Sequence, residues 1–106
     1  MRLPVEFVGD SLRELRGFPE GSRRKMGYQI DRVQNGFDPI DWKPMPAIGS
    51  GVKEIRVRDA AGAFRAIYVV AAYDAVYVLR CFHKKREKTA RSDLELARRR
   101  LHSIGR

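Results

Sequence analysis

The chain has 106 residues, 43% of them apolar, with 22 Lys and Arg against 13 Asp and Glu and a formal net charge of +9. That size fits a single domain, residues 1–106, with one modest core, and the apolar share is too high for a disordered chain. No apolar run approaches the roughly 18–20 residues of a membrane span, the first stretch lacks the layout of a signal peptide, and the lone Cys81 excludes an intramolecular disulfide and fits a reducing cytoplasm.

Leu3–Val8 reads as a short strand, with Val5 and Phe7 on one face. Gly9-Asp10-Ser11 stops it. Asp10 or Ser11 can cap a short helix, with Glu14 placed for a capping box if Ser11 is the cap. Gly17-Phe18-Pro19 breaks that helix, and a second one runs to about Gln34. Its inner stripe is Met26, Ile30 and Val33. Asn35-Gly36 ends it. Phe37–Gly51 reads as a loop, because three prolines and two glycines interrupt any periodicity. Trp42 and Met45 would pin this loop to the body; the competing reading is that Trp42, beside Lys43, stacks on a base.

Three antiparallel strands follow. In Glu54–Arg58 charged and apolar residues alternate, which puts Glu54, Arg56 and Arg58 on one face and Ile55 and Val57 on the other. Asp59–Gly62 makes a hairpin turn. Phe64–Ala72 is apolar except for Arg65, as in a central strand covered on both sides. Tyr73-Asp74 makes the next turn, and Ala75–Phe82 is a further strand broken by Arg80. Cys81 inside it reads as a small buried core residue. A last helix starts near Thr89 or Ser92, with Ala90, Leu94, Ala97, Leu101 and Ile104 on one face. The order β-α-α-β-β-β-α, with the helices on one sheet face, is an α+β domain.

The positive charge is clustered, which points to a polyanionic partner. Arg65 is the most informative residue. An arginine inside a buried strand must be paired, here with Asp59 or Glu54, or serve a ligand. Arg56 and Arg58 on the adjacent strand can converge with it on one sheet face. Such a group would bind phosphate and stabilise a phosphorane transition state. Lys84, Lys85, Arg86 and Lys88 after the last strand either extend a phosphate track or form a solvated linker. Lys43 beside Trp42 is a further cation for RNA. His83 is a general acid–base candidate by its ordinary pKa, or a merely exposed strand-end residue. One cysteine and two distant histidines give no metal-ligand spacing, and no nucleotide-binding loop or nucleophile elbow is present. A metal-free, cofactor-free ribonuclease remains open, since the RNA 2′-OH can itself attack the phosphate.

Three segments, VEFVGDSLREL, GVKEIRVRDAAGAFRAIYV and VLRCFHKKREKTARSDLELA, together span most of the chain. EIRVRD, a short turn, G-x-[FY]-R-x-[IV]-Y and F-x-KK-x-x-KT in combination resemble the RelE/HigB-type toxins of type II toxin–antitoxin modules, in particular their phage-derived host-inhibition branch. The resemblance implies a RelE-like fold, with a twisted antiparallel sheet and helices packed on it. It also implies an endoribonuclease that cuts mRNA at the ribosome, arrests growth and leaves a 2′,3′-cyclic phosphate. Arg56, Arg65 and Lys84 or Lys85 fall at the family's basic positions. Arg91 stands where some RelE-like enzymes have a tyrosine, and Glu54 where they carry a lysine, which leaves Glu54 or His83 as the proton carrier. The implied partners are mRNA, the ribosome and a HigA-like helix-turn-helix antitoxin in the cytoplasm. The competing readings are a non-catalytic RNA- or ribosome-binding module and an interaction domain for the antitoxin.

Overall fold

The structure is a computed structural model that describes residues 2–71, 74–85 and 87–104. The elements are β1 (Val5–Phe7), α1 (Ser11–Arg16), α2 (Glu20–Gln34), β2 (Trp42–Pro44), β3 (Lys53–Asp59), β4 (Gly62–Ala71), β5 (Ala75–Lys84) and α3 (Arg91–His102). They form one five-stranded sheet in the order β1-β5-β4-β3-β2. The α+β class is as the sequence implied, with three differences of detail.

The first difference is β2, which lies inside the proline-rich stretch read as loop. Trp42 pairs with Ile55 and Pro44 with Lys53. As a three-residue edge strand it tolerates a proline, because its outer side needs no N–H donor. The Lys53 ammonium sits 4.4 Å from the Trp42 ring centroid and fastens the edge. The second difference is that β1 runs parallel to its neighbour, with Val5 opposite Val76 and Phe7 opposite Val78. First and last strands share no turn, so no hairpin forces them antiparallel.

The third difference is that helices cover both sheet faces. On one face, Leu15, Phe18, Met26 and Ile30 of the α1–α2 side bury Ile55, Phe64, Tyr68 and Val78. On the other, α3 brings Ala97 against Ile67, Val69 and Leu79, joined by Met45 and Ile48 from the segment after β2. An α3 stripe and nearly unbroken apolar runs in β4 and β5 require a two-sided cover. Cys81 is buried as expected, and burial, then the Glu14 charge, push its thiol up to about 12.

Local chemistry departs from the capping box. Ser11 is fully buried and its hydroxyl donates to the Val78 carbonyl at 2.9 Å. Glu14 turns away from the helix start and accepts the Cys81 backbone N–H at 3.2 Å. The β3–β4 hairpin closes through Asp59, whose carboxylate accepts the Ala61 N–H and the Ser22 hydroxyl, tying the turn to α2. Gly62 ends that turn at φ +130°, and a methyl added there would lie 2.6 Å from His83 Nε2. Both the backbone and the close ring require glycine. Of the expected turn at Tyr73-Asp74, Tyr73 lies outside the described residues.

Candidate functional site

Pairing register builds the basic surface. Lys43 of β2 stands opposite Glu54 of β3. Arg56 stands opposite Arg65 of β4, which stands opposite Phe82 of β5. Arg58 stands opposite Ala63, which stands opposite Lys84. Since partners across strands point to the same face, Lys43, Glu54, Arg56, Arg58, Arg65 and Lys84 all lie on the α3 side of the sheet. α3 covers the part of this face around Ile67 and Leu79. The end nearest the β3–β4 turn stays open. There the small Ala63 lies between Arg58 and Lys84, two strand spacings or ~10 Å apart. The resulting cleft of about 480 Å³ is lined by Arg58, Arg65, Lys84 and Lys85, with His83 and Glu87 also at its wall.

The centre of the site is one carboxylate between two guanidinium groups. Glu54 is 0% exposed. Its Oε1 lies 3.5 Å from Arg65 Nε and 3.9 Å from Arg56 Nε, within ion-pair range but beyond a well-formed hydrogen bond. Its Oε2 accepts the Thr89 hydroxyl at 2.8 Å. Glu54 Oε1, Arg56 Nε and Arg65 Nε are buried, and none has a hydrogen-bond partner among the described residues. Arg65 makes one further bond, from Nη1 to the Phe64 carbonyl at 3.1 Å. Arg65 therefore has a structural partner, Glu54 rather than Asp59, yet the pair does not saturate either group.

The electrostatics reflect cation crowding. Like charges directly opposite across strands are destabilising. Burial, then the charges of Arg56 and Arg58, lower the Arg65 pKa, against the opposing pull of Glu54 and Asp41. The guanidinium stays protonated regardless. Burial, then the Arg65 charge, lower the Lys84 pKa, with Lys43 and Arg56 adding and Glu54 opposing. An anion entering here would relieve several repulsions at once.

Not all of the anticipated residues converge. The His83 ring sits on the opposite face, stacked on Phe64 with centroids 4.6 Å apart and an interplanar angle of 16°. Strand alternation separates it from its neighbours Phe82 and Lys84. Lys85 and Lys88 are exposed beyond the end of β5. Arg91 is exposed at the start of α3, with Glu95 at 3.5 Å. Arg86 lies outside the described residues. Among the described residues no three His, Cys, Asp or Glu side chains group as metal ligands. No described helix is long and apolar enough to cross a membrane.

Sequence reasoning missed Thr89 as the partner of Glu54. Its only sign was the KT pair at the end of the lysine-rich motif. It also missed a second ionic cluster, on the far edge of the sheet. Arg80 Nη1 meets Glu14 at 2.7 Å and Arg80 Nη2 meets Asp93 at 2.9 Å. Arg100 donates to both oxygens of Glu14 and to the Leu79 carbonyl, each at 2.9 Å. With Glu14 on the Cys81 N–H, this cluster closes the edge of β5 beyond the short β1. A bulge between Ile67 and Tyr68 steps the register from Arg80 to Val78 next to this cluster.

The fold has a close counterpart. A free-state structure of E. coli toxin RelE carrying two arginine-to-alanine substitutions matches with a TM-score of 0.68. That match covers 98% of this chain and 99% of the other at 16% identity, a likeness of fold. A comparison with curated proteins found no match. Residues 13–102 match the family described as Phage derived protein Gp49-like (DUF891). Both findings agree with the resemblance seen in the sequence, and the chain belongs to the Gp49-like family of phage-derived proteins.

Proposed function

We propose that this protein is the toxin of a type II toxin–antitoxin module and an endoribonuclease that cuts mRNA on translating ribosomes, in the cytoplasm and without metal. The observation that carries the reading is the Arg56–Arg65 pair, opposed in register, sharing one buried carboxylate and left with unfilled hydrogen-bonding capacity. In this mechanism the RNA 2′-oxygen attacks the adjacent phosphorus and the bond to the 5′-oxygen breaks. The products are a 2′,3′-cyclic phosphate and a 5′-hydroxyl. Arg65 and Arg56 hold the phosphate oxygens, where charge builds up in the transition state. Lys84, its pKa lowered, is the side chain on this face suited to pass a proton between the 2′-hydroxyl and the leaving oxygen. Glu54 is enclosed, so its part is to position the two guanidinium groups. Arg58, Lys43, Lys85, Arg86, Lys88 and Arg91 extend the phosphate track. A HigA-like antitoxin would silence the site by covering this basic face.

A cleavage assay on translating ribosomes tests the proposal. Arg65→Ala and Lys84→Ala should abolish both mRNA fragments and growth arrest, and chelator should leave wild-type cleavage intact. Persistence of fragments in both variants would refute the site. A non-catalytic RNA- or ribosome-binding module is the second reading. It is favoured by the enclosure of Glu54 and by the stacking of the His83 ring on Phe64, which take both anticipated proton carriers out of play. RNA bound by the wild type without any cut on translating ribosomes would select it.

A further inference from the structure

Beyond the phosphate cleft, across β3, lies a second groove of about 480 Å³ between α2 and the segment leading into β2. Arg58 lines both clefts, at the open end of β3. The groove is open because β2 begins only at Trp42, opposite Ile55. Its last backbone contact toward that end is the Arg56 N–H to the Asp41 carbonyl at 2.9 Å. Its walls differ from those of the phosphate cleft. Tyr28 is 55% exposed and Ile40 71% exposed, two large apolar side chains facing solvent across one groove over Val57.

Four cations rim these apolar walls: Arg24, Lys25, Arg56 and Arg58. Asp41 is the carboxylate among the lining residues. The Lys25 ammonium is held by a neutral acceptor, the Arg58 carbonyl at 3.3 Å, so its charge remains available. Gln29 is fixed at the floor, where its Oε1 accepts the Ile40 N–H at 2.8 Å. An exposed aromatic ring between guanidinium and ammonium groups, joined to a phosphate cleft by a shared arginine, has the chemistry of a single-strand nucleobase subsite. Stacking on an aromatic face is tolerant of base identity, while the flanking cations hold the backbone.

We infer that Tyr28, with Ile40 opposite, receives a base of the RNA strand whose scissile phosphate lies at Arg56 and Arg65. This rests on the proposed action on RNA and adds a positioning role. The strand is held by one stacked base as well as by its phosphates, which fixes the approach of the 2′-oxygen.

The test measures affinity of the full chain for a short single-stranded 2′-O-methyl oligoribonucleotide, which cannot be cleaved, over a range of salt. Tyr28→Ala should weaken binding about ten-fold. Its salt slope should stay that of the wild type, because no phosphate contact is lost. Tyr28→Trp should restore affinity. On an otherwise identical abasic strand Tyr28→Ala and wild type should bind alike. Since Tyr28 is exposed, both variants should fold, and thermal unfolding verifies it. Unchanged affinity in Tyr28→Ala overturns the inference, while salt-dependent binding by the wild type leaves the phosphate site standing. Unchanged RNA affinity together with lost binding of an acidic amphipathic peptide would make the groove a protein-docking surface and likewise overturn it. A wild type with no salt-dependent affinity for RNA, free or on ribosomes, sinks this inference and the proposed function together.

Discussion

Two ionic clusters flank β5 and β3, and they are built on opposite rules. At the β5 edge two carboxylates, Glu14 and Asp93, meet two guanidinium groups, Arg80 and Arg100, through bonds of 2.7–2.9 Å. Leftover capacity goes to the Cys81 N–H and the Leu79 carbonyl. Charge is balanced and donors are matched. At the open end of β3 and β4 one carboxylate serves two guanidinium groups at 3.5 and 3.9 Å, with Arg58 and Lys84 nearby and three buried atoms without a hydrogen-bond partner among the described residues. The first arrangement serves the fold, since a half-buried ion pair holds only when its hydrogen bonds are complete. The second retains repulsion that a phosphate would remove. Counting arginines cannot distinguish the two clusters; counting their partners does.

Breaking the balanced cluster should produce the largest change in stability. Glu14→Ala leaves Arg80 and Arg100 without their shared carboxylate and uncovers the Cys81 N–H. A loss of about 3–5 kcal/mol is expected in urea unfolding. A change below about 1 kcal/mol would show that the cluster adds little to the fold. Arg65→Ala should behave in the reverse sense. Cleavage on translating ribosomes should drop about 10²–10³-fold. Stability should fall far less than in Glu14→Ala, because one of two crowded cations is removed.

Acid should affect the balanced cluster first. Burial alone would raise the Glu14 carboxyl. The hydrogen bonds from Arg100 and the Cys81 N–H, with the charges of Arg80 and Arg100, outweigh it and hold the pKa below the ordinary 4.5. A depressed carboxyl contributes its stability fully above the unfolded value and loses it as pH falls through the folded one. The urea midpoint should therefore decline below about pH 4.5, and less steeply in Glu14→Gln. The smallest effect is expected at Arg91, exposed and loosely paired with Glu95. Arg91→Ala should leave the urea midpoint unchanged, while the salt slope of RNA binding falls by about one phosphate contact.

Much of this was written in the periodicity of the chain. The Met26, Ile30 and Val33 stripe, the alternation over Glu54–Arg58 and the α3 stripe each follow from one residue's position relative to its near neighbours, so the helices, the three long strands and the shared face of Glu54, Arg56 and Arg58 were legible. The arrival of Arg65 on that face was legible too, as soon as the hairpin turn was located. What the sequence could not settle depends on residues far apart in the chain. The choice of Glu54 over Asp59 as partner of Arg65 is set by pairing register. The Thr89 bond to Glu54 and the Arg100 bond to Glu14 span 35 and 86 positions. The three-residue β2 and the parallel β1 exist only because longer strands already present an edge to them. His83 shows the division most plainly. Its residue type marked it for acid–base chemistry, and the parity of β5 then carried it to the other side of the sheet, onto Phe64, because alternate side chains of a strand must face opposite ways.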